Sequence, residues 1–140
     1  MKLLIGVDGI SFDSAHYTLS SKGNEQLHGH SYKVSVEIEG DKIDPTTGFL
    51  LDFGILRKVV VEVVKEWDHK LIVSQKDLSK IKIEAPFKLE LKVIESEFPT
   101  VENIGLEIAK EIYHKLGGKF RVILKIYEGE GNYAIIYYPD

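Results

Sequence analysis

The sequence predicts an α+β domain: an antiparallel sheet with two helices on one face. Three observations carry that reading. His28 to Ile38 alternates strictly, with His28, His30, Tyr32, Val34, Val36 and Ile38 on one side and Gly29, Ser31, Lys33, Ser35 and Glu37 on the other. Two segments, Ile55 to Trp67 and Ile104 to Leu116, repeat apolar residues at three- and four-residue spacing. An alternating run, Phe120 to Glu128, and a second strand-like run, Tyr133 to Tyr138, close the chain.

Taken in order, Leu3 to His16 reads as extended, with Gly6 and Gly9 as candidate bulges. After the His28 strand, "GDKIDPTTG" supplies turn chemistry through Gly40, Asp44, Pro45 and Gly48. The first helix carries Ile55, Leu56, Val59, Val60, Val63, Val64 and Trp67 inward and Arg57, Lys58, Glu62, Lys65 and Glu66 outward. Residues 70 to 98 show only one alternating piece, around Lys88 to Val93. The second helix has Thr100 as N-cap and Glu102 in a first turn favoured by the dipole, and Gly117-Gly118 end it. "EGEGN" turns the last two strands, giving four strands and two helices in one domain, 1–140.

Two helices cover one face of such a sheet. Yet "YAIIYY" has no charged residue on either face, so the open face calls for a second copy of the same sheet. An oligomer is expected.

Composition narrows the function. A net charge of −4 argues against a nucleic-acid partner, and the absence of cysteine excludes disulfides, thiolate metal sites and a cysteine nucleophile. No stretch approaches a membrane span, and the apolar start "MKLLIGVDGI" is too short for a signal peptide and is broken by Asp8. A cytoplasmic location follows as the expectation.

Side chains two apart on a strand point the same way, so His28 and His30 can reach one ion. His16, ending the preceding extended segment, is the natural third ligand of a site with an open position, and three imidazoles favour zinc. The plain alternative is a set of hydrogen-bonded polar residues near strand ends. His114 lies on a polar helix face and belongs to solvent. Asp68-His69 closes the first helix, either as a carboxylate-oriented proton relay or as a histidine favoured by the helix C-terminus. Glu128 shares its face with four apolar residues and so needs a partner; an N–H beside an NH2 group on a ligand would serve.

"FDSAH", "HGHSY", "GFLLDF", "WDH", "PTVEN" and a glutamate on the penultimate strand occur in the order of the 6-pyruvoyltetrahydropterin synthase family, which this chain resembles over nearly its whole length. The resemblance implies the tunnelling fold, in which three subunits join their sheets into a barrel and two rings stack into a hexamer. It further implies active sites at subunit interfaces, zinc on His16, His28 and His30, Glu128 holding the pterin, Thr100 and Glu102 near its ring, and Asp68-His69 as the relay.

One departure bears on the reaction. Members of the family making pyruvoyl- or carboxy-tetrahydropterin carry a catalytic cysteine shortly before His-Gly-His; here Asn24 stands at the corresponding place, and it is no base. Glu25, three residues before His28, resembles the glutamate of a cysteine-less subgroup that shortens the side chain of 7,8-dihydroneopterin triphosphate to give 6-hydroxymethyl-7,8-dihydropterin. The expected activity is therefore a zinc-dependent lyase with Glu25, Asp68 and His69 as catalytic groups. The alternatives are a pyruvoyl- or carboxy-tetrahydropterin synthase with an unusual base, or a pterin-binding homologue without chemistry.

Overall fold

In the computed structural model, which describes residues 1–140, the two alternating N-terminal segments pair into a long antiparallel ladder. Strand β1 spans Leu3–His16 and strand β2 His28–Gly40, with Phe12 opposite Tyr32, Ser14 opposite His30 and His16 opposite His28. The register shifts between Val7 and Ile10, around Gly9 at φ 75. That bulge explains why two residues three apart are both buried: the inserted residue restores the inward phase for Phe12, Ser14 and His16. Gly6, the other bulge candidate, stays in register opposite Glu37.

Helix α1, Phe53–Lys65, starts at Asp52, whose carboxylate accepts from the amide of Gly54 at 2.7 Å. Its inward face is Leu56, Val60, Val63 and Val64, followed by the fully buried Trp67; Ile55 lies outside the stripe and is exposed. Helix α2, Val101–Lys115, is capped by Thr100 and buries Ile104, Gly105, Ile108, Ala109 and Ile112. It stops where Gly117 and Gly118 take φ of 78 and 69, with the Gly118 amide bonding the Tyr113 carbonyl at 3.0 Å. Neither helix is long and apolar enough to cross a membrane.

Two short strands come from residues 70 to 98, where sequence periodicity marks only the piece around Lys88 to Val93 that overlaps the second of them. Strand β3, Leu71–Ser74, lies parallel to β1, and strand β4, Leu91–Ile94, parallel to β3. Every residue of β3 is buried, so it shows no alternation to detect. Strands β5, Arg121–Glu128, and β6, Tyr133–Tyr138, complete an order of β4-β3-β1-β2-β5-β6. The sheet therefore has six strands instead of four, and two of its pairings are parallel.

Both helices contribute to one core against the same face of the sheet. The other face is open. Tyr133, Ile135 and Tyr137 remain about half exposed on it, and Lys125 lies between the rings of Tyr127 and Tyr133 at 5.0 and 4.3 Å.

Helix α2 approaches the sheet closely at Gly105, where a Cβ would stand 2.5 Å from Ile136 Cδ1 and 3.0 Å from Ile126 Cγ2. Gly105→Val should lower stability by about 2 kcal/mol through overpacking, read as a reduced urea midpoint at constant slope. An unchanged midpoint would mean that the contact is not tight.

Candidate metal centre and adjoining pocket

The bulge and the β1/β2 register bring three imidazoles to one end of the sheet. His16 faces His28 across the ladder, and His30 follows His28 on the same side; the ring centroids are 4.6 to 5.0 Å apart. Glu128 ends β5 opposite Tyr32 and so enters from the next strand. One ligand atom from each of His16, His28, His30 and Glu128 falls within 4.8 Å of all the others. Below them lies Tyr32, fully buried and stacked on Phe12.

Backbone carbonyls fix how these rings are presented. His16 Nδ1 lies 2.7 Å from the carbonyl of Pro99, just before the α2 cap, and His28 Nδ1 lies 2.7 Å from that of Gln26. A carbonyl can only accept, so each Nδ1 carries the hydrogen and each neutral ring turns its Nε2 lone pair to the cluster. The Nε2 atoms of His16 and His30 are buried and have no hydrogen-bond donor or acceptor suited to them. Each instead lies near Glu128 Oε1, at 2.9 and 3.1 Å. The His16 lone pair facing a carboxylate at that distance demands a cation between them, either a proton or a metal. The donor set fits a divalent metal.

The charges respond to this packing. With a proton between His16 Nε2 and its carboxylate, Glu128 is held below the usual carboxyl range against the opposing effect of burial. Burial pushes His30 down, with Glu128 pulling the other way. Burial also raises Tyr32.

His28, His30 and Glu128 form part of the wall of an open pocket of about 440 Å³. Thr100 and Glu102, at the start of α2, line the same pocket, as does Asn24. Glu25 does not: its side chain lines an adjoining pocket with Tyr17, Leu27, Lys80 and Ile83. Asp68 and His69 also lie apart from the cluster, on a turn after α1. His69 Nδ1 is 3.0 Å from Asp68 Oδ2, and the ring is 80% exposed. The Asp13 amide donates to Asp68 at 2.9 Å and holds its carboxyl below the ordinary value. His69 is the one non-glycine residue with positive φ, at 57.

The sequence pairs Glu128 with a ligand head and not with the histidines, although its inward phase is compatible with both. The carbonyl of Pro99 left no signal, because a contact across 83 residues has no local pattern. That of Gln26, two residues before His28, is a local feature any residue type can supply.

The model of the 6-pyruvoyl tetrahydropterin synthase family matches residues 7–139. The dihydroneopterin monophosphate aldolase of Pyrococcus furiosus is 35% identical over 120 residues, covering 85% of this chain and 84% of that protein. The 6-carboxy-5,6,7,8-tetrahydropterin synthase of Rickettsia felis is 34% identical, covering 85% of this chain and 89% of its own length. Among solved structures, a Plasmodium vivax 6-pyruvoyltetrahydropterin synthase altered at a catalytic residue superposes with a TM-score of 0.78 at 24% identity, covering 98% of each chain. The chain belongs to the 6-pyruvoyl tetrahydropterin synthase family.

Proposed function

We propose that this chain is a zinc-dependent lyase that shortens the side chain of a phosphorylated 7,8-dihydroneopterin by retro-aldol cleavage. The single observation that carries the reading is the convergence of three imidazoles at the wall of an open pocket, two of them with Nδ1 held on a backbone carbonyl so that the Nε2 lone pair faces the cluster. The aldolase among its relatives supports carbon–carbon cleavage, as does the absence of cysteine from the chain.

His16, His28 and His30 would hold the metal, which supplies Lewis acidity that lowers the pKa of a hydroxyl presented to it. Glu128, no longer needed by the imidazoles, would accept two N–H groups from the pterin edge. Thr100 and Glu102 would bound the ring from the helix side. Glu25 is the proposed base; from the rim of the neighbouring pocket it must swing across to the substrate hydroxyl. Loss of that proton turns the C–O bond into a carbonyl, breaks the adjacent C–C bond and leaves the electron pair on the pterin-side carbon. A proton returned to that carbon gives 6-hydroxymethyl-7,8-dihydropterin and a two-carbon aldehyde carrying the phosphate. His69 is the proposed source. Its ring is exposed and takes no part in lining the pocket of its own chain, so it would serve the pocket of an adjacent copy.

The metal can be tested directly. Protein purified without chelator should contain about one zinc per chain, and His28→Ala should lose affinity by tenfold or more, since outer contacts alone are worth about that much. Metal-free protein together with unchanged affinity in His28→Ala would defeat the assignment.

The assembly follows from the open sheet face and the unpaired edge of β6. Light scattering should report a hexamer of three-chain rings, or at least a trimer. A stable monomer at micromolar concentration would rule it out.

The reaction is tested by offering zinc-loaded protein dihydroneopterin triphosphate and monophosphate and identifying the pterin by mass spectrometry. The expected product is 6-hydroxymethyl-7,8-dihydropterin. A 6-carboxy or 6-pyruvoyl product would instead assign a synthase, and pterin binding without any product a non-catalytic homologue. Glu25→Gln should keep zinc and pterin while losing about a hundredfold in turnover, as removal of a general base does. Near-parent turnover would remove Glu25 from the mechanism.

A further inference from the structure

Asp68 and His69 occupy the two central positions of a four-residue turn, Trp67 to Lys70. The Trp67 carbonyl and the Lys70 amide are the groups that ordinarily close such a turn on each other. Here they do not bond directly. The Ser14 hydroxyl stands between them, donating to the Trp67 carbonyl and accepting from the Lys70 amide at 3.1 Å.

Ser14 is an unexpected residue at its position. It lies on the buried face of β1 between Phe12 and His16, is only 7% exposed, and faces His30 across the ladder. A hydroxyl on an apolar face costs free energy unless both its donor and acceptor roles are used. Both are used on this one turn. The neighbouring residues complete the attachment: the Asp13 carbonyl accepts from the His69 amide at 2.7 Å, and the Ala15 amide donates to the Lys70 carbonyl at 2.9 Å. The turn is thus bonded at every residue from Asp13 to Ala15, and its second central residue is held in the left-handed region that side chains avoid.

We infer that Ser14 is a positioning residue for the Asp68–His69 pair, its hydroxyl wedging the turn open so that the His69 ring stands outward with Nδ1 on Asp68. The inference rests on the proposed proton-transfer role of that pair. Without the hydroxyl, the turn can close through a direct bond from the Lys70 amide to the Trp67 carbonyl. Closure would rotate the peptide joining Asp68 to His69 and displace the ring. Ser14 would act on the imidazole through the backbone alone, and the same strand carries the metal ligand His16 two residues on.

The test compares Ser14→Ala, Ser14→Thr and His69→Ala on whichever dihydroneopterin phosphate the parent cleaves. Ser14→Ala should lower kcat by about tenfold to a hundredfold, the range that an ångström of misplacement produces, with KM and bound zinc unchanged. Ser14→Thr, which keeps the hydroxyl, should restore most of the rate. The His69 ring resonances should shift in Ser14→Ala and return in Ser14→Thr. If His69→Ala is inactive while Ser14→Ala keeps kcat and the parent His69 resonances, the positioning role fails and the pair's role stands. A Ser14→Ala protein that loses zinc or raises KM instead also overturns it. Full turnover in His69→Ala, or a parent that cleaves neither phosphate, brings down the underlying reading and this inference with it.

Discussion

The pairing of His16 with His28 at the end of the β1/β2 ladder is the constraint on which the rest of the molecule depends. A slip of one residue would exchange the two faces of a strand and send a histidine to solvent. The bulge at Gly9 sets the phase that delivers His16, and the core locks it, because Phe12, Tyr32, Val34, Val36 and Ile38 would all be misplaced by the same slip. Burial of the apolar residues, each contributing about 1.5–3 kcal/mol, therefore fixes the position of the polar ones at no separate cost.

The same strand end organises everything else near the site. Its side chain at position 16 binds the carbonyl before α2, which places the first turn of that helix, with Thr100 and Glu102, on the pocket wall. Residues 13 to 15 hold the turn bearing Asp68 and His69, and Ala15 pairs with Leu71 to begin β3. One segment of β1 thus ties together the cluster, the pocket wall and the exposed Asp-His pair. These parts are otherwise remote in sequence.

Much of this was legible in the sequence, for identifiable reasons. The alternation of His28 to Ile38 exposed the strand and the side on which its histidines lie, and the Thr100 cap and the Gly117-Gly118 stop marked α2. Strand β3 was hidden because "LIVS" is buried throughout, which erases the period-two signal, and β4 is only four residues long. The positive φ of His69 and the hydroxyl bridge from Ser14 could not be read at all. Both arise from contacts across more than fifty residues, and serine on an inward strand position looks like a small core residue until its partners are known.

Glu128 shows how a single inward carboxylate can belong to two sites at once. Its strand phase aims it at the cluster, where two imidazole nitrogens lie within hydrogen-bonding distance of one of its oxygens. A cation on the imidazoles changes what that carboxylate needs. With a proton there, His16 satisfies it; with a metal held by the three rings, that bond is lost and the carboxylate must coordinate the metal or find new donors. It is still partly exposed to the pocket, with about a quarter of its side chain accessible, so donors can arrive from that side. Under the proposed function, metal loading would thereby be coupled through one oxygen to the readiness of the pocket for a ligand bearing paired N–H groups. The coupling requires no movement of the backbone, only the exchange of a proton for a metal between three rings that the sheet already holds in place.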